Sequence, residues 1–177
     1  RGEREGDECL LELLSQHGRN ESDTVGSQAE RYLLAAWEMR DGPDAASRQR
    51  VLQAHSGNDA ERLTALDLLL EKHPLWVAGH VQRARLYQRN GDGEQARRHA
   101  LVTLQLQPEN FDAVWVLGQA LLQLGAPESA YQCLQQAVRI NPRLKPALEA
   151  DIREINKALD YEKKQQRLEA RKAVPVT

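Results

Sequence analysis

Apolar residues recur at intervals of three and four along most of this 177-residue chain. That spacing places them on one face of an α-helix, and it is clearest in residues 111–124 and 127–140. Runs in which Val, Ile or Thr alternate with polar residues, as in half-buried strands, are missing. The sequence therefore predicts an all-α fold. The apolar seams of the two segments are Leu117, Leu121 and Leu124, and then Tyr131, Leu134, Ala137 and Val138.

Chain-breaking residues repeat along the sequence with a fixed period. Pro74, Pro108 and Pro142 are each 34 residues apart, and so are Gly91 and Gly125. A period of this length is typical of stacked repeats that are each built from a pair of helices. Glycine suits the left-handed backbone that ends a helix, and proline disfavours helix in the residue before it. We therefore predict two helical hairpins, with helices at 77–90 and 94–107 and at 111–124 and 127–140.

Small residues follow the same period. Ala84 aligns with Gly118 in the first helix of each pair, and Ala96 aligns with Ala130 in the second. Since the distance between packed helices depends on the side chains at the contact, a large residue would hold the two helices apart. We expect the helices of each hairpin to cross closely at these positions.

The second hairpin resembles the tetratricopeptide repeat family. Residues 77–110 match that pattern less well, because His80 and Arg83 stand at places that are usually apolar. The resemblance implies an α-solenoid, in which hairpins stack into a right-handed superhelix with a concave groove lined mainly by the first helix of each pair. It also implies a protein-binding function. The residues that carry the resemblance are Leu117, Gly118, Gly125, Ala130, Leu134, Ala137 and Pro142.

The sequence on either side of the two hairpins predicts further helices. Residues 1–26 read as a short N-terminal helix followed by a polar linker, and 27–76 as N-terminal helices that include a degenerate repeat. Ser27 and Glu30 are spaced as a capping box at the start of a helix. Residues 77–142 hold the two repeats, and 143–177 form a long capping helix and tail. The predicted capping stripe is Leu148, Ile152, Ile155 and Leu159.

The net charge of −2 is unevenly distributed along the chain. Residues 1–74 carry −6, residues 75–142 carry +1 and residues 143–177 carry +3. This falls short of the dense Lys/Arg stripe that binding to phosphates requires, so we expect no nucleic acid partner. No run of 18 apolar residues occurs, so we expect no membrane insertion by this segment. The compartment stays open between the cytoplasm, which we favour slightly, the periplasm and the water-exposed part of a membrane-anchored protein.

The resemblance implies that Trp115 lies in the groove. At 100° per residue of an α-helix, its side chain points about 160° away from that of Leu117 in the apolar seam. A large aromatic side chain on an inner face would anchor an apolar side chain of a partner. The alternative is that Trp115 packs against the neighbouring hairpin or lies under the N-terminal helix. Arginine and lysine around it would favour an extended or helical segment with acidic flanks. The predicted partner-binding residues are Val81, Arg85, Arg89, Trp115, Gln119, Leu122, Arg153 and Lys157.

The same resemblance argues against one familiar ligand. Some family members hold the terminal carboxylate of chaperone tails with basic and amide side chains. The matching places here are Val81, Arg85, Val116, Pro146 and Ala150, of which one is basic. We therefore do not expect this clamp.

Three other functions are alternatives to groove binding. The domain could be a structural or oligomerisation module whose groove is filled by its own N-terminal helix or by a second copy, giving a homo-oligomer. It could also regulate a larger multi-domain protein. An enzyme is disfavoured, because the five histidines form no His-x-x-x-His pair and no Gly-x-Ser-x-Gly elbow or phosphate loop occurs. We expect no catalytic residues, no cofactor and no metal, and we interpret Cys133 as a buried, inert thiol.

Overall fold

The computed structural model describes residues 2–17, 24–53 and 58–172 of the chain. Within those ranges it contains nine α-helices, one 3-10 turn at Pro142–Leu144 and no strand, which confirms the all-α prediction. None of the described helices has a stretch long and apolar enough to cross a membrane. The helices are α1 (Gly2–His17), α2 (Thr24–Met39), α3 (Ala45–Gln53), α4 (Asp59–Lys72), α5 (Val77–Arg89), α6 (Gly93–Leu106), α7 (Phe111–Gln123), α8 (Pro127–Ile140) and α9 (Lys145–Lys172).

Helices α5 to α8 form the two predicted hairpins, and each helix begins and ends within one residue of its predicted bounds. Gly91 and Gly125 have backbone φ angles of 80° and 74°, the left-handed conformation expected after α5 and α7. Side chains cap the starts of α6 and α7. Asp92 accepts a hydrogen bond from the backbone N–H of Gln95, and Asn110 accepts one from that of Ala113. The period of the breakers thus sets the period of the hairpins.

The close helix crossing predicted at the small residues is present. A Cβ atom built on Gly118 would lie 2.7 Å from Cδ2 of Leu134 and 3.3 Å from the carbonyl oxygen of Ala130. Ala84 and Ala96 are completely buried in the preceding hairpin. Because α6 also packs against α7, the two hairpins stack side by side, as an α-solenoid requires.

The polar residues that depart from the family pattern form a stack of flat side chains between α5 and α6. The ring of His99 lies 5.8 Å from that of His80 and 5.7 Å from that of Tyr87, measured between centroids. Arg83 lies over the Tyr87 ring and forms an ion pair with Asp67 of α4 at 2.8 Å. These stacked groups fill the space that apolar side chains occupy in the usual pattern.

Trp76 joins the N-terminal half of the chain to the repeats. It is 1% exposed, and its indole N–H donates to the carbonyl oxygen of Glu38 at 3.0 Å. Gly42 and Gly79 make room for the ring, since a Cβ atom on either would lie less than 3 Å from it. This tryptophan therefore fixes the end of α2 against the start of α5.

Helices α1 and α2 form a hairpin that packs across the loops between successive repeats. Leu14, Leu33 and Trp37 belong to the same buried cluster as Phe111 and Leu134, and the Trp37 and Phe111 ring centroids are 5.3 Å apart. The hairpin is therefore part of the main core.

The predicted capping box at the start of α2 is wrong. The helix begins at Thr24, so Ser27 lies inside it. Glu30 instead accepts hydrogen bonds from Asn141 Nδ2 at 2.7 Å and Arg143 Nε at 3.0 Å, in the loop before α9. A long-range contact thus replaces the local one that its spacing suggested.

The C-terminal helix caps the last hairpin through the predicted stripe. Leu148 and Ile155 are completely buried, and Ile152 and Leu159 pack against the same cluster at its edge. Most of the described side chains after Leu159 are exposed. The first half of α9 therefore completes the core, while the second half extends into solvent.

Candidate partner-binding surface

An open cavity of about 550 Å³ lies between α4, α5 and α7, and we call it the main cavity. Its base is apolar because it includes Leu86 and Val116, which are almost completely buried. Its walls are polar and aromatic. They are formed by Arg62, Gln82, Arg85, Gln88, Arg89, Trp115 and Gln119.

Trp115 is partly buried on the wall of the main cavity, and a hydrogen bond to α9 holds its indole ring in place. The indole N–H donates to Oδ2 of Asp151 at 3.2 Å, and Nε2 of Gln119 donates to the same oxygen at 3.1 Å. Asp151 belongs to α9, so the capping helix orients two side chains of α7. The ring also packs against the main buried cluster. One part of Trp115 is therefore structural, while another part lines the cavity.

The arginines of the main cavity are paired with aspartates, on another helix for Arg85 and Arg89 and on the same helix, α4, for Arg62. Arg85 contacts Asp112 at 2.8 Å, and Asp59 contacts Arg89 at 2.9 Å and Arg62 at 3.4 Å. Arg85 and Arg89 keep about half of their side-chain surface exposed, at 48% and 53%. A guanidinium has five N–H donors, so a pair with one carboxylate leaves donors for a second. The cavity is thus a mixed surface rather than a purely basic one.

Asp112 is the most perturbed acid of this surface. Burial raises the pKa of its carboxyl, while the neighbouring Arg85 opposes that rise and the more distant Glu30 adds to it. The ion pair with Arg85 therefore stabilises a carboxylate that has lost much of its hydration.

A second cavity of about 240 Å³ adjoins the first, and Gln82 and Arg85 line both. Helix α2 supplies one of its walls through Leu34, Trp37 and Glu38. The opposite wall consists of residues from α5 and the start of α7. The N-terminal hairpin thus borders this surface at one end, whereas the lining of the main cavity comes from α4, α5 and α7. The remaining residues of the second cavity are Ala78, Val81, Asn110 and Asp112.

The structure gathers four of the eight predicted partner-binding residues in the main cavity, namely Arg85, Arg89, Trp115 and Gln119. Val81 lines the second cavity but is 6% exposed. Leu122 packs at the edge of the main buried cluster. Arg153 and Lys157 are exposed on α9, and Arg153 Nε donates to the carbonyl oxygen of Glu149 at 3.2 Å.

Three residues of this surface were not identified from the sequence. Arg62 reaches the main cavity from the degenerate repeat, Asp151 fixes Trp115, and Leu34 lines the second cavity. The 34-residue period aligns Arg62 with Ala96 and Ala130, which are small and buried, so it does not indicate a side chain that lines a cavity. Asp151 and Leu34 carry no sequence signal either, because their roles depend on how α9 and α2 rotate against the repeats.

Comparison with known families agrees with this architecture. Residues 89–150, from the last residue of α5 into α9, match a family model described as tetratricopeptide repeat. A search of curated proteins found no significant match. This match confirms the resemblance to tetratricopeptide repeats stated from the residues, over residues 89–150. Such repeats are in general protein–protein interaction modules without enzymatic activity.

Proposed function

We propose that this domain is a non-enzymatic adaptor, scaffold or assembly factor that captures a segment of another protein in the main cavity. One observation supports this above the others. Trp115 is held by Asp151 and by the core, so it presents a pre-oriented aromatic surface beside Arg85, Arg89 and Gln119. Rigid aromatic side chains flanked by arginine are typical of residues that dominate the binding energy of an interface.

The charges around Trp115 favour a partner with acidic residues on either side of an apolar one. Arg85 and Arg89 are half exposed and can share their remaining donors with carboxylates of the partner. Asp59 and Asp112 hold both guanidinium groups in place, which lowers the entropy lost on binding. The amides of Gln82, Gln88 and Gln119 can pair with the polar backbone of an extended segment, or with the side chains of a helical one.

A peptide selection tests this proposal directly. We would select a random peptide library on the full chain and measure the affinity of enriched peptides for variants. We expect an apolar residue flanked by Asp or Glu, and we expect Trp115→Ala to weaken binding by about 2 kcal/mol, or roughly 30-fold. Tyr161→Ala is the matched control, since Tyr161 is a 65% exposed aromatic residue on α9. Trp115→Ala lowering the melting temperature while leaving peptide affinity unchanged would assign this tryptophan to the core alone.

A second candidate, a structural module whose own N-terminal helices occupy the binding surface, also has a specific observation in its favour. Helix α2 borders the second cavity, and Trp37 packs on Phe111 at the start of α7. The two functions differ in which cavity matters. If Leu34→Ala, at the wall formed by α2, strengthens peptide binding in the second cavity, then α2 competes with a partner there. If binding maps to the main cavity and ignores this change, the adaptor function is favoured.

A further inference from the structure

Helix α2 carries apolar residues on two faces, and the core uses one of them. Ala29, Leu33 and Trp37 are buried against α1 and the repeats. The second face, which we call the outer stripe, consists of the apolar residues Val25, Tyr32, Ala35 and Met39 and the polar Gln28, all of them exposed. Tyr32 and Met39 each keep 62% of their surface exposed. Isolated apolar residues on a surface are ordinary, but an aligned row of them on one helix is a mark of an interaction site.

The outer stripe has the spacing of a helix-pairing seam. Its residues follow one another at intervals of three, four, three and four, which is the a and d pattern of two heptads. In this register Arg31 and Glu38 both occupy g positions, on the same edge of the stripe, and both are exposed. When two such helices pair antiparallel, g positions face each other across the seam. Arg31 of one copy then faces Glu38 of the other, twice in each pair.

The residue sizes fit the same antiparallel arrangement. Layers of an antiparallel pair place an a residue opposite a d residue, so Tyr32 faces Ala35 of the other copy and Gln28 faces Met39. Large side chains therefore meet small or flexible ones, as close packing requires. Helix α2 is already ordered by its buried face, so pairing needs no folding step and loses little conformational entropy.

We propose that the outer stripe of α2 binds the same stripe of a second copy of this chain, with the two helices antiparallel about a twofold axis. A twofold contact of this kind is self-complementary, which matches the placement of one basic and one acidic g residue on the same helix. The proposal is independent of the function proposed for the main cavity, because the lining of that cavity comes from α4, α5 and α7. It would give the module two copies of its partner-binding surface and hence bivalent binding.

The oligomeric state of the full chain tests the pairing. Sedimentation velocity at protein concentrations from about 1 µM to about 1 mM would give the dimer dissociation constant. We expect a reversible dimer in this range, and we expect Tyr32→Glu to raise Kd about tenfold or more by placing a charge in the seam. Tyr161→Glu should leave Kd unchanged, since Tyr161 is equally exposed, at 65%, but lies on α9. A wild-type chain that stays monomeric throughout, or a dimer that tolerates Tyr32→Glu, would overturn the proposal.

A charge exchange tests the antiparallel geometry. Arg31→Glu alone and Glu38→Arg alone each place like charges together at both symmetric contacts, so each should raise Kd about tenfold. The double variant restores opposite charges across the seam and should recover a Kd within about threefold of the wild type. Circular dichroism would confirm that helicity is unchanged. A dimer that does not recover in the double variant, or a Tyr32-dependent complex with a different protein in place of a second copy, would also contradict the proposal.

Discussion

The hairpins α5–α6 and α7–α8 have nearly the same backbone but different interiors. The α7–α8 hairpin packs Gly118 against Leu134 in an apolar core. The α5–α6 hairpin keeps the small residues Ala84 and Ala96 but stacks His80 on His99 where apolar residues are usual. The repeat architecture therefore depends on small residues at the helix crossing and on the turn residues. Other interior positions accept flat polar rings, provided that these stack on one another.

Removing the central leucine of the apolar hairpin should give the largest effect. Leu134 is completely buried against Gly118. We expect Leu134→Ala to lower the free energy of unfolding by about 3 kcal/mol, because the cavity cannot collapse while the helix backbones are already in contact. Urea unfolding followed by circular dichroism measures this. Leu101→Ala is the control, since Leu101 on α6 is 44% exposed, and it should cost less than about 1 kcal/mol.

Filling the helix crossing should give the next largest effect. A valine at Gly118 would place atoms inside the contact with Leu134, whose Cδ2 is 2.7 Å from the Cβ position. We expect Gly118→Val to cost about 2 kcal/mol through overpacking, measured in the same unfolding experiment. Ala84→Val should have an effect of similar size, since Ala84 is completely buried at the equivalent place. A tolerated Gly118→Val would show that close crossing is not what specifies the hairpin.

The polar hairpin should respond to pH through its half-buried His99. Burial, and then the charges of Arg83, His80 and Arg98, lower the pKa of His99 to about 4 from 6.5. The unfolded chain therefore binds a proton that the folded chain does not bind between pH 6.5 and about 4. This contribution is fully present above the unfolded pKa and is lost as the pH falls through that window.

We expect this difference to be about 1–2 kcal/mol, allowing for solvent around a partly exposed ring. The measurement is the pH dependence of unfolding free energy in the wild type compared with His99→Phe, whose aromatic ring cannot titrate. Acids and histidines that do not interact with His99 contribute equally to both curves. Parallel curves between pH 4 and 6.5 would show that His99 is not the responsible group.

The turn glycines should give the smallest effect, and the same one in both hairpins. Replacing Gly91 or Gly125 by Ala forces a left-handed backbone on a residue with a Cβ, although nothing lies within 4 Å of it. We expect each change to cost about 1 kcal/mol in thermal unfolding. Gly6→Ala is the control, because Gly6 lies in α1 with open space around it, and alanine should not destabilise that helix. If Gly91→Ala and Gly125→Ala lower the stability by unequal amounts, the two hairpins do not share one backbone design.

The placement of the candidate site was partly predictable. Trp115 and Gln119 lie one turn apart on α7, and Arg85 and Arg89 lie one turn apart on α5. Gln119 is 34 residues after Arg85, and all four side chains line the main cavity. Their common orientation follows from helical periodicity and the 34-residue period. The same period, continued into α9, predicts that Arg153 and Lys157 lie near Trp115, but the α9 residue that accepts its hydrogen bond is Asp151. The period does not hold in α9, because this helix is not followed by the second helix of a hairpin.

Local sequence patterns specified the four hairpin helices, their ends and the close crossing in each hairpin. These features depend on local spacing, on the left-handed turns at Gly91 and Gly125, and on small residues that recur with a fixed period. Three features are visible in the folded molecule alone: the position of α2 across the loops, the hydrogen bond from Asn141 to Glu30 and the hydrogen bond from Trp115 to Asp151. Those contacts join residues far apart in the chain. They depend on the rotation and offset of whole helices, which the pattern within one helix does not encode.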